Sequence, residues 1–274
     1  MRQTTIKTAG LHLLLILCIL IISMPVILAL IISTQTEAQV LSYPPGLVPG
    51  SNAVHNYVTA WTSVDLGRMM LNSTIIAFGV IIGKISMSLL AAFAFTHFNF
   101  KGKKLLFGLV LVTLLLPVPV RIVALFDIIR RLHWIDTYAG LMVPFWASAT
   151  SIFILIQRFR TVPSELVDAS KIDGCTPMQY FFKVLLPLIR STLGALVVIN
   201  FIYIWNQYLW PLMATNTKEM RVVQIGIKML MSTESSNNWG VIMAGVIITM
   251  IPPLLIFIVM QESFMKGFAL QSEK

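Results

Sequence analysis

Polar and aromatic side chains punctuate the apolar stretch "NFIYIWNQYLW", residues 200–210. At about 100° per residue on a helix, Asn200, Tyr203, Asn206, Gln207 and Trp210 fall within an arc of roughly 120°. Ile202, Trp205 and Leu209 face the other way. Amides and a phenol hydrogen-bond hydroxyl groups, and aromatic faces stack on a solute, so the stripe suits the lining of a pathway. It equally suits polar glue between helices. Arg121 adds a guanidinium fork that matches a phosphate. Pairing with Asp127, or anchoring its helix at a membrane interface, are rival roles for it. None of this chemistry breaks bonds.

Signals of catalysis are missing from the sequence. His12, His55, His97 and His133 lie on separate segments without metal-ligand spacing, so no metal site is expected. No G-x-S-x-G elbow occurs. Gly79-x3-Gly83-Lys84-Ile85-Ser86 departs from a phosphate-binding loop in both its glycine spacing and the residue after lysine, and reads better as a small-x3-small helix contact. Asn72-Ser73-Thr74 matches a glycosylation sequon, a three-residue match that says little. Cys18 and Cys175 are the two cysteines, and neither has a partner at ligand spacing.

The elements that must carry these residues are membrane helices. Apolar residues make up 57% of 274 positions and charged ones 11%, against roughly 25% charged in a soluble domain. A bilayer core needs about 20 apolar residues per helix. Six runs qualify: 10–32, 71–95, 105–126, 138–157, 188–213 and 239–260, within one transmembrane domain over 1–274. The net charge of +9 sits in short loops without interleaved aromatics, so nucleic acid is not an expected partner. With the N-terminus inside, twelve Lys and Arg fall on the cytoplasmic side and seven outside, which favours cytoplasmic termini. The loop 33–70 is rich in Pro, Gly, Ser and Asn, with a surface helix expected near 57–65. "KEMRVVQIGIKMLM" is apolar enough to lie along the membrane surface. The tail after Met260 is polar and short, a disordered end by default.

That topology makes 158–187 the longest cytoplasmic segment. Within it "SELVDASKIDG", residues 164–174, predicts a short helix. Thr161 or Ser164 suits its start and Pro163 its first turn, Glu165 and Asp168 complement the dipole there, and Gly174 fits the left-handed terminator. Small Ala169 and Ser170 leave room for another surface. Packing under its own protein and docking in a partner's groove both fit.

Asp168-Ala169-Ser170, three residues, Gly174, nine residues, then Val184-x-Leu186-Pro187 resembles the EAA motif of ATP-binding-cassette importer permeases, with conservative changes at Asp, Ser and Val. The stretches 72–104 and 114–174, and "FIYIWNQYLWPL", resemble the carbohydrate-uptake group of that family. "PVPVRI", "DTYAGL", "WNQYLWPL" and the ending "VMQESFMKGFALQSEK" resemble most its importers of glycerol 3-phosphate. The resemblance implies an all-α membrane protein with six transmembrane helices, the type I importer permease fold, multi-pass in a prokaryotic cytoplasmic membrane. It implies a non-catalytic subunit carrying sn-glycerol 3-phosphate or glycerophosphodiesters, with a neutral di- or oligosaccharide as the alternative cargo. A stand-alone secondary transporter would need an inverted repeat and intramembrane ionisable pairs, which the sequence lacks.

The implied partners are a second homologous permease, two ATPase subunits that bind ATP and Mg so that this chain needs no cofactor, an extracytoplasmic solute-binding protein, and membrane lipid. Glu165, Asp168, Ala169, Gly174 and Pro187 are then the residues expected to couple to the ATPase. The tail of a related permease reaches into the ATPase dimer, which gives this tail a second reading.

Overall fold

A computed structural model describes residues 2–44, 46–232 and 238–269, and every element among them is helical. The first helix, α1 (Arg2–Ile32), presents its apolar run Gly10–Ile32 almost wholly outward, as a helix solvated by lipid does. After the capped turn α2 (Glu37–Val40) comes α3 (Ala53–Ser63). It begins inside the Pro- and Gly-rich stretch, earlier than the expected surface helix. Buried Asn56 donates to the carbonyls of Ser33 (2.9 Å) and Gln35 (2.8 Å), satisfying groups left open where α1 ends. Gln35 in turn donates to Gly46 and Val48, so this loop is pinned.

α4 (Leu66–His97) is continuous over 32 residues. α5 (Lys103–Leu115) and α6 (Val118–Arg131) are one apolar stretch broken at Leu116, whose extended backbone follows from the proline behind it. α7 (Tyr138–Met142), a 3-10 turn at Val143–Phe145 and α8 (Ala149–Arg160) form a second bent pair, at 43°. α9 (Ser164–Ile172) follows, then α10 (Pro177–Tyr180), a π turn at Phe181–Leu185, α11 (Leu186–Leu188) and α12 (Arg190–Trp205), the last turning by 74° at Ile189. Pro187 cannot donate to the carbonyl of Lys183, and the backbone widens just before it. α13 (Leu209–Ala214), a 3-10 turn at Lys218–Met220, α14 (Val223–Ser232) and α15 (Trp239–Ala269) complete the chain. α15 runs through Pro252 and Pro253 without a break. It carries most of the expected tail as helix; residues 270–274 lie outside the described ones. Among the described residues, three helices are long and apolar enough to cross a membrane, and the count rises to as many as six when each bent pair is one span.

The chain divides into two compact units, Met1–Gly67 with Gly226–Ile251, and Arg68–Ile225 with Pro252–Lys274. In the first, Gly245 of α15 lies against Leu230 and Ile227 of α14, so that part of α14 is packed in protein where the sequence suggested a membrane surface. The second holds a core built from Phe93 of α4, Leu155 and Phe159 of α8, Phe181 and Leu185 of the π turn, and Leu196 of α12. Gly79 and Gly83 leave no space for a side chain: a Cβ at either would strike Met142 or the Trp146 ring, whose Nε1 donates to Gly79 O at 3.1 Å. The small-x3-small stripe is a helix contact, and the partner it accepts is a pair of large side chains.

Candidate functional site: a cationic cavity and an open short helix

Lys84, in the middle of α4, is 5% exposed. Its Nζ donates to Asn200 Oδ1 of α12 at 3.0 Å and stands 5.2 Å from the centre of the Tyr203 ring. Asn200 Nδ2 is spent on the carbonyl of Leu196 at 2.8 Å, which fixes the amide with its oxygen toward the ammonium. The contacts are a neutral acceptor and a π face. Neither supplies the opposite charge that an ion inside a membrane helix ordinarily keeps nearby.

Lys84, Asn200 and Tyr203 line one side of a cavity of about 700 Å³. Arg121, exposed near the start of α6, also lines it, as do Leu106, Leu109 and Leu114 of α5. Ser148, Ala149 and Thr150, the start of α8, also line it. Ser148 Oγ accepts from Ser151 N there, while the amides of Ala149 and Thr150 precede the first intrahelical bond. Two cations and a helix N-terminus thus border one space, and among the described residues no carboxylate lines it. Asp127 is engaged elsewhere, with Arg130 (3.0 Å) and Arg131 (2.8 Å). The Arg121–Asp127 pairing open from sequence is not formed.

The polar stripe is only partly continuous. α12 ends at Trp205 and a separate helix starts at Leu209, with Pro211 in its first turn, where a missing N–H costs no intrahelical bond. Asn200 and Tyr203 reach the large cavity. Exposed Asn206 caps α12, donates to Ile202 O and accepts from Gln224 Nε2 at 3.3 Å. Half-buried Gln207 borders a separate small pocket beside Ser73 and Pro211. Trp210 is 1% exposed, with its ring edge-on to Phe145. The structure therefore separates Asn206, Gln207 and Trp210 from the space that Asn200, Tyr203 and Arg121 share. Sequence reasoning passed over Lys84 once the phosphate-loop match failed. The available signal was simpler: a lysine inside a long apolar run.

α9 has two distinct faces. Val167 packs on the core of the second unit, and buried Ser170 bonds Val167 O at 2.7 Å. Glu165, Asp168, Ala169 and Ile172, spaced i, i+3, i+4, i+7, are exposed, and Ile172 is 87% so. Asp168 pairs with Lys171 at 3.1 Å in the open, an interaction of little energy. Neither Thr161 nor Ser164 caps the helix: Pro163 precedes it without a side-chain bond, and Thr161 closes α8 through Arg158 O at 2.8 Å. Gly174 takes φ +73° with open space around it, and Cys175 N reaches back to Ser170 O. Pro187 is exposed on α11. Arg158 ties α8 to α11 by donating to Leu188 O at 3.2 Å, which holds the base of the α9 excursion.

The family model for the binding-protein-dependent transport system inner membrane component matches residues 84–269. The chain is 41% identical over 270 residues, covering 96% of each, to the sn-glycerol-3-phosphate transport system permease protein UgpE of Escherichia coli O1:K1. It is 42% identical over the same length to the protein of that name in Salmonella typhimurium strain LT2. A chain of a bacterial transporter involved in import of the acidic polysaccharide alginate superposes with a TM-score of 0.82 at 19% identity, covering 96% and 98% of the two chains. A chain of the alginate transporter in complex with a pentasaccharide-bound periplasmic protein gives 0.67 at 15% identity, over 94% of each. A helical membrane chain with no catalytic constellation among its described residues and a short helix left open thus has its relatives among transport permeases: it belongs to the binding-protein-dependent inner membrane components, the non-catalytic membrane subunits of ATP-binding-cassette transporters.

Proposed function

We propose that this chain is the permease subunit of an importer that carries sn-glycerol 3-phosphate or a glycerophosphodiester inward, with both termini cytoplasmic. The observation that carries the reading is identity of 41–42% over 96% of the chain with permeases of sn-glycerol-3-phosphate systems. A second, homologous permease completes the pathway, an external binding protein delivers the solute, and two ATPase subunits bind the open face of α9. Closure of the ATPase pair on ATP draws the two coupling helices together and tips the membrane helices outward; hydrolysis returns them. Such switching is rigid-body movement between two packed arrangements. Glu165, Asp168, Ala169 and Gly174 of the α9 segment receive the force, and Pro187 lies where the chain re-enters α12.

The test is ATP-dependent uptake into vesicles carrying the full set of subunits, with sn-glycerol 3-phosphate and a neutral disaccharide offered in parallel. Accumulation of the phosphorylated solute alone is expected. Accumulation of the disaccharide alone, or uphill transport by this chain without companions, overturns the reading.

A further inference from the structure

We infer that the cavity bounded by Lys84, Arg121 and the start of α8 is a binding site for a phosphate group. The inference rests on the proposed cargo for its physiological meaning and on the geometry for everything else. An ammonium held inside a membrane helix against only an amide oxygen and an aromatic face retains most of its desolvation cost. Selection for stability alone favours an apolar residue there. An anion in the adjoining space supplies the missing charge. A phosphomonoester carries about −1.5 to −2 at neutral pH, which Lys84 and Arg121 together balance. Ser148, Ala149 and Thr150 at the start of α8 line the same space, so a positive helix end borders it. At about 700 Å³ the cavity is within the roughly 300–1,000 Å³ of small-molecule sites. Asn200 holds the lysine in place, and Tyr203 caps it from the side.

The phosphate can belong to the transported solute or to a phospholipid headgroup, and the experiment separates them. The complete assembly, as wild type, Lys84→Met and Lys84→Arg, is purified, checked for intact composition, and returned to neutral phosphatidylcholine vesicles. Three quantities are read: uptake of sn-glycerol 3-phosphate, the change in Tm on adding inorganic phosphate, and anionic phospholipid carried through purification, by native mass spectrometry. The methionine variant keeps the side-chain volume but loses both the charge and the bond to Asn200 Oδ1, so its Tm without phosphate is compared with wild type first, to show that folding is retained. The expected result is a phosphate-induced rise in Tm that disappears in Lys84→Met and persists in Lys84→Arg. Uptake falls about tenfold or more in the methionine variant, the loss typical of a charge-assisted hydrogen bond, mainly through KM.

Loss of bound anionic phospholipid with unchanged uptake in Lys84→Met supports the same site with a lipid headgroup as its occupant. A wild type that takes up no sn-glycerol 3-phosphate, yet shows the Lys84-dependent rise, refutes the cargo and leaves the site standing. Tm, uptake and lipid content that are all indifferent to Lys84 overturn the site.

Discussion

The hydroxyl of Tyr138, at the start of α7, donates to Asn72 Oδ1 at 2.8 Å, while Asn72 Nδ2 donates to the carbonyls of Glu219 (2.7 Å) and Arg221 (2.9 Å). One amide on α4, 3% exposed, thereby joins three segments that are far apart in sequence. The sequon match at this position has no bearing on glycosylation, since the amide nitrogen is buried and already bonded. Asn72→Leu removes one acceptor and two donors together. The expected loss is about 2 kcal/mol, toward the middle of the range for stranded polar groups, seen as a lower Tm in detergent. An unchanged Tm would show the network to be incidental.

Asp136 sits at φ +57° between α6 and α7. Partial burial pushes its carboxyl up, but the amides of Thr217 and Asn216 and the Thr217 hydroxyl, at 2.7–3.0 Å, outweigh that and hold it below the ordinary carboxylate range. A group lowered on folding contributes stability above its unfolded pKa, and the contribution drains away as pH falls through the folded value. Wild type should therefore lose stability from about pH 4 downward more steeply than Asp136→Asn. The asparagine still accepts these bonds and tolerates a left-handed backbone. Parallel pH–stability curves for the two proteins would contradict the assignment.

Gly174 ends α9 in a left-handed conformation with nothing near its Cβ position. Gly174→Val strains the backbone by about 1–2 kcal/mol without a steric clash, whereas Gly174→Asn is tolerated there. Coupled uptake should fall in the valine variant and largely return in the asparagine one. Equal uptake by the two would remove the backbone conformation from the argument.

Gly83 faces the Trp146 ring. Gly83→Leu should cost more than about 2 kcal/mol, as overpacking of a tight contact does, and lower the yield of folded chain. Gly83→Leu combined with Trp146→Ala should recover part of it. No recovery in the double variant would place the damage elsewhere.

Much of this architecture is written in local pattern. Apolar runs mark the spans, Gly174 marks the end of α9, and the spacing of Asp168, Gly174 and Pro187 marks the segment proposed to couple to the ATPase. The bends are less visible, although local signals mark them: Pro117 forces Leu116 extended, and Pro211 sits in the first turn of the new helix that starts at Leu209. Treating that stretch as one helix put Gln207 and Trp210 on a face they do not share with Asn200. The cationic cavity was the hardest to read. Its residues Lys84 and Asn200 are 116 positions apart, and only tertiary packing brings the lysine to its amide. The capping of α9 misled for another reason: Thr161 has two helix ends within reach, and its hydroxyl serves the one behind it.

The most direct test is of the open face of α9. Ile172, exposed and without a role in the core, is replaced by glutamate in the complete assembly, and bound ATPase subunit and ATP-driven accumulation of sn-glycerol 3-phosphate are measured beside wild type. The account predicts a folded permease of normal Tm that loses the ATPase subunit and accumulates no solute. A variant that holds its ATPase and accumulates solute as wild type does would contradict it.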